Sequence, residues 1–66
     1  MFVNGKELSL TTLQNPSLSG LLQHLGVKET TVAIEHNGEI IERGGWENIV
    51  LQAKDRIEVI KFVGGG

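Results

Sequence analysis

One stretch of this chain repeats its apolar residues at helical spacing more clearly than any other. Leu18, Leu21, Leu22 and Leu25 fall at i, i+3, i+4 and i+7, which places four side chains on one stripe of a helix. Asn15 or Ser17 can cap its start, and Pro16 is tolerated there because first-turn N–H groups lack internal partners. Gly26 supplies the left-handed residue that ends it, with Val27 folding back onto the last apolar turn. The helix is therefore expected over Ser17 to Leu25. A single amphipathic helix must bury its stripe, so the rest of the chain has to provide one opposing apolar surface.

That surface reads as a sheet. Asn4-Gly5 and Asn37-Gly38 are pairs that accept the positive φ angles of tight hairpin turns. They separate strand candidates at Met1 to Asn4 and Glu7 to Leu10, and at Thr31 to Glu35 and Glu39 to Ile41. A last strand is expected over Arg56 to Val63, after the Lys54-Asp55 turn. Gly44-Gly45 interrupts the pattern, and Trp46 to Leu51 reads as irregular or as one brief helical turn. Val3, Leu8, Leu10, Val32, Ile34, Ile57 and Val59 form the apolar face able to receive the leucines. The order β, β, α, β, β, β implies an α+β domain with one mixed sheet packed on one helix. With 66 residues and no cysteine, packing alone must hold it.

Charge excludes several functions. Six Lys and Arg against eight Asp and Glu, a net charge of −2, leave no basic stripe for phosphates, so nucleic acid is not an expected partner. No stretch is long and apolar enough to span a bilayer, and Met1 leads directly into Phe2-Val3 without a secretory pattern, so a cytoplasmic location is expected. His24 and His36 lack metal-site spacing, and each reads as a solvated or locally hydrogen-bonded structural residue. No metal or bound cofactor is expected. Without cysteine, a Ser-His-Asp arrangement or a phosphate loop, the chain is not expected to be an enzyme.

The chemistry concentrates at Gly64-Gly65-Gly66, placed directly after the last strand. Such a run reads as a flexible tail outside the core, able to extend as bare backbone into an active site too narrow for any Cβ. An α-carboxylate with a reference pKa of about 3.3 to 3.7 is ionised at neutral pH and resists nucleophiles until activated. Joining it to AMP would supply a leaving group, after which a sulfur nucleophile could convert the carbon to a thioacid. Taken alone, the glycines fit an inert flexible tail equally well.

Val32-Ala-Ile-Glu-His-Asn-Gly-Glu-Ile-Ile-Glu-Arg43, then Trp46, then Lys54-Asp-Arg-Ile-Glu-Val-Ile-Lys-Phe-Val-Gly-Gly-Gly66 resembles the ThiS family of thiamine-pathway sulfur carriers, and the likeness covers the whole chain. The Asn4-Gly5 hairpin and the Leu21-Leu22-Gln23-His24-Leu25-Gly26 helix end stand where that family has them. The resemblance implies a ubiquitin-like β-grasp domain over residues 1–63, with first and last strands parallel and adjacent, and a tail over 64–66. It implies that an E1-like adenylyltransferase uses ATP to activate Gly66, that a cysteine desulfurase supplies persulfide sulfur, and that thiazole synthase receives it. The family's functional glycine pair falls on Gly65 and Gly66, with Gly64 as an extra tail glycine. Gly44-Gly45 departs from the family, where a more helical, polar pair is expected.

Two apolar features remain. Trp46 reads as a plug at one end of a small core, with a partner contact as the other reading. If Ile57 and Val59 face the core, alternation sends Ile60 and Phe62 to the opposite face, with Phe2 expected beside them on the first strand. With only one helix to cover the sheet, Phe2, Ile60 and Phe62 are expected to form an exposed patch for docking partners. Three rivals share part of this pattern: the small subunit of molybdopterin synthase, whose members tend to carry prolines before the glycines, a ubiquitin-like modifier joined to lysines, and a binding module with an inert tail.

Overall fold

The computed structural model describes residues 1–62. Five strands form one sheet: β1 (Phe2–Val3), β2 (Lys6–Glu7), β3 (Val32–His36), β4 (Glu39–Ile41) and β5 (Arg56–Lys61), in the order β2-β1-β5-β3-β4. β1 runs parallel to β5, and every other pairing is antiparallel. One helix, α1 (Leu18–Leu25), buries Leu18, Leu21 and Leu22 in the core formed on one sheet face. This is the mixed sheet with one helix, an α+β fold with first and last strands side by side, that the sequence leads one to expect. The last strand ends at Lys61, two residues before the expected Val63, and the proposed tail over 64–66 lies outside the described residues.

The turns follow from their chemistry. Asn4 and Gly5 have φ of 51° and 80°, and Asn37 and Gly38 have 52° and 87°, the left-handed pairs that close two-residue hairpins. Each asparagine also extends a short ladder onto β5. Asn4 Oδ1 accepts the Val59 N–H at 2.7 Å, and Asn37 Oδ1 accepts the Arg56 N–H at 2.8 Å. The central strand is thus clamped from both flanks by side-chain amides standing in for backbone. Ser17, rather than Asn15, caps α1 by accepting the Gly20 N–H, and Gly26 at φ 71° ends it while the Val27 N–H reaches Leu22 O.

Several expectations need correction. The second strand is Lys6–Glu7, not Glu7 to Leu10: past Leu8, whose N–H still pairs with Met1 O, the chain tightens into a 3-10 turn over Leu10–Thr12. Leu8 and Leu10 nevertheless pack against the core from that turn. Leu25 is 41% exposed, because the last turn carries the leucine stripe to the periphery, where the chain leaves the helix at Gly26. Gly44 and Gly45 do not interrupt structure but lie inside a 3-10 helix over Arg43–Asn48, and nothing around them explains the choice of glycine. Trp46 is the expected plug: it is 2% exposed and donates Nε1–H to Ile41 O at 2.8 Å.

Gly20 has an importance that its sequence context hides. A Cβ there would lie 2.8 Å from the Asn15 carbonyl carbon and closer still to its oxygen, which the Ser17 N–H holds in place at 2.9 Å. Glycine in a helix interior ordinarily costs about 0.5–1 kcal/mol relative to alanine. Here the sign reverses. Gly20→Ala is expected to destabilise by about 1–3 kcal/mol through overpacking, seen as a melting temperature lower by roughly 5–20 °C; an unchanged or higher one would show that the Asn15 loop yields freely.

Candidate functional site

The sheet has a second face that no element of the described residues covers. On β5, Ile57 points to the core, so Arg56, Glu58 and Ile60 point away from it. The register places Ala33 opposite Ile60 and Glu35 opposite Glu58, and on β4 Ile40 stands opposite Glu35. Phe62 follows β5 and still pairs through its N–H to Thr31 O at 3.0 Å. Ile60 is 45% exposed, Ile40 60% and Phe62 67%. Ala33, Ile40, Glu42 and Phe62 line one shallow depression together with Trp46. The outer face therefore carries an apolar patch at the end where the chain leaves the sheet towards Gly64, Gly65 and Gly66.

Two of the three expected patch residues are thus brought together and one is not. Phe2 is exposed on the same face, but its parallel partner is Arg56, not Ile60. Four residues of strand separate it from Ile60, about 13 Å, with Glu58 between. The reason is register: the parallel pairing of β1 with β5 starts at the beginning of β5, so the first strand never reaches its apolar end. Ile40 takes the place expected for Phe2. Sequence reasoning missed it, although alternation from Ile41, which packs on the core, would have turned Ile40 outward. Gly66 and its neighbours lie outside the described residues.

Neither histidine joins this face. His24 is exposed on α1. His36 lies on the core side of β3 and has a partner that the sequence did not reveal: its Nε2 is 2.8 Å from Asp55 Oδ2 and so donates its hydrogen there. Asp55, only 7% exposed, also accepts Asn37 Nδ2–H and the Gln52 N–H. Burial pushes this carboxyl up, but the bonds from His36, Asn37 and Gln52, with the charge of His36, outweigh it and hold the pKa below the usual carboxylate value. The cluster fastens the turn before β5, consistent with a structural role. A depressed carboxylate contributes stability above its unfolded pKa of about 3.9 and loses it as pH falls through the folded value. Asp55→Asn should therefore melt below the wild type at pH 6, and the gap should close progressively below about pH 4. A gap constant over that range would remove the charge of Asp55 from the account.

Among the described residues, no group of three His, Asp or Glu could hold a metal ion, and no helix is long and apolar enough to cross a membrane. A family model described as the ThiS family matches residues 2–66. A thiazole synthase of Magnetococcus marinus is 46% identical over 50 residues, which are 76% of this chain and 15% of that protein. This chain thus spans a small part of that relative. The protein ycf40 of Trieres chinensis is 34% identical over 65 residues, 98% of this chain and 86% of that one. The crystal structure of a thiamine biosynthesis protein (ThiS) from Geobacter metallireducens superposes with a TM-score of 0.81 at 32% identity, covering 98% of this chain and 96% of that chain.

Proposed function

The chain belongs to the ThiS family, and from that membership we propose that it carries sulfur for the thiazole ring of thiamine on the carboxylate of Gly66. The observation that carries this reading is the family match through residue 66, which includes the glycines, on a fold like that of a thiamine biosynthesis protein. In this reading an E1-like adenylyltransferase transfers AMP from ATP to the Gly66 carboxylate, releasing pyrophosphate. A persulfide sulfur, delivered from a cysteine desulfurase, then attacks the acyl carbon and displaces AMP. Reductive cleavage of the resulting acyl disulfide by a thiol leaves the thiocarboxylate.

The chain contributes no catalytic side chain to these steps. It presents a carbonyl carbon at the end of a glycine thread and a sheet face by which enzymes hold it. The likeness to part of a thiazole synthase supports that enzyme as the sulfur acceptor. Intact mass after incubation with the adenylating enzyme, ATP and a persulfide donor tests the reading. The expected result is the gain of about 16 Da for one oxygen replaced by sulfur at Gly66, the difference between two covalent species of the same terminus. An unchanged mass, with the enzyme active on another carrier, would overturn it. Adducts on lysines of other proteins would favour the ubiquitin-like modifier.

A further inference from the structure

We propose that Asn4 is a site of spontaneous covalent modification, deamidated by attack of the Gly5 nitrogen, and that Asp55 holds the equivalent Asn37-Gly38 pair back from the same reaction. The inference concerns the chain alone and stands apart from the sulfur-carrier reading. Asparagine is thermolabile, and a glycine after it has no side chain to shield its nitrogen. Both turns present that pair, exposed and with positive φ at each residue, and a Cβ on Gly5 or Gly38 would meet nothing within 4 Å. Backbone bonds do not distinguish them: the Asn4 N–H reaches Ile57 O at 2.9 Å and the Asn37 N–H reaches Arg56 O at 2.8 Å.

The side chains do. Reaction can begin only when the amide lets go of its partners, because Cγ must turn towards the next nitrogen. Asn37 is tied at both ends: Oδ1 accepts the Arg56 N–H at 2.8 Å, and Nδ2 donates to the buried Asp55 carboxylate at 3.1 Å. Asn4 Oδ1 accepts the Val59 N–H at 2.7 Å, but its Nδ2 stands 3.4 Å from Val59 O, longer than an ordinary N–H···O bond and to a neutral acceptor. A hydrogen bond to a charged acceptor is the stronger. The hairpins differ in the same direction. β1 and β2 share two residue pairs and both residues of β2 are exposed, whereas β3 and β4 share three and β3 is further paired with β5 over five. The Asn4 turn is therefore the one that opens first.

In the reaction the Gly5 nitrogen bonds to Asn4 Cγ, the Cγ–Nδ2 bond breaks, and the Gly5 proton leaves with the amide as ammonia. Water then opens the cyclic imide on either side, leaving aspartate or isoaspartate at position 4, a net gain of about 1 Da. Aspartate sets an oxygen against Val59 O where Nδ2 stood, and isoaspartate adds a backbone methylene to a two-residue turn. Either product weakens the rung by which Asn4 prolongs the pairing of β1 along β5.

Peptide mapping by mass spectrometry, on the full chain held at mildly alkaline pH, tests the assignment. Conversion at Asn4 should run at least about tenfold faster than at Asn37. In guanidinium chloride the two rates should converge, since the difference belongs to the fold. Asp55→Ala should raise the rate at Asn37 while that at Asn4 stays unchanged, an internal measure that the fold persists. Chain converted at Asn4, separated by ion exchange, should melt roughly 4–8 °C lower. Equal rates in the folded wild type, a lead for Asn37, or a lead for Asn4 that persists in denaturant would each overturn the assignment. A converted chain that melts with the wild type would overturn the weakening of the Val59 rung.

Discussion

Deleting Gly65 and Gly66, or changing Gly65 to Val, is expected to abolish thiocarboxylate formation while leaving the melting transition nearly unchanged. The buried core runs in sequence from Met1 to Ile57, and β5 ends at Lys61, so the interactions that hold the described fold are complete before the glycines. Stability has little to lose there. In the proposed mechanism activation has everything to lose, because there the acyl carbon of Gly66 reaches the nucleotide as bare backbone. A β-branched side chain at residue 65 adds bulk next to the reacting carbon, and displacement by about 1 Å can already cost a hundredfold in rate. Mass spectrometry and thermal melts on the same samples check the two halves. If the truncated chain still supports thiazole formation at the normal rate, the Gly66 carboxylate is not the working group. Should truncation lower the melting temperature as far as a core substitution does, the glycines belong to the fold.

Local chemistry made much of the fold legible. Two Asn-Gly pairs, a leucine stripe and a helix-ending glycine each act within a few residues, and each appears in the structure where the sequence places it, save that Leu25 at the end of the stripe is exposed. What could not be read depends on partners distant along the chain. Gly20 looks like a helix defect until the carbonyl of Asn15 is seen against it. Asp55 looks like an ordinary turn residue until His36, 19 positions away, is found bonded to it. The side chain of Asn4 reaches Val59 across 55 positions to prolong a two-residue strand.

The candidate surface divides the same way. That Ile60 and Phe62 turn outward follows from period-two alternation along one strand, which a sequence displays directly. That Phe2 stays apart from them, and that Ile40 and the facing glutamates join them, follows from inter-strand register. Register is set by where each hairpin closes and where β1 meets β5. A one-dimensional pattern carries the first kind of information and only hints at the second, so the patch was legible as a kind of surface while its membership needed the sheet.

Trp46→Ala should be the most damaging single change to the fold, costing about 3–5 kcal/mol. A domain of this length has a total stability of only about 3–10 kcal/mol at typical values per residue, so the variant should be largely unfolded or close to it. The indole is buried beside α1, and it also satisfies the Ile41 carbonyl, which truncation would strand. Trp46→Phe separates the two contributions: it keeps most of the packing but leaves that carbonyl without its donor, at about 1–3 kcal/mol. Phe62→Ala provides the contrast. The phenyl ring is 67% exposed, and its removal should change stability by less than about 0.5 kcal/mol while weakening partner binding. Urea titrations followed by circular dichroism rank the three variants without relying on tryptophan emission. A Phe62→Ala midpoint as low as that of Trp46→Ala would mean that the outer face is covered and not available for docking. If Trp46→Ala melts like the wild type, the ring does not hold the core, and its burial would need another reason.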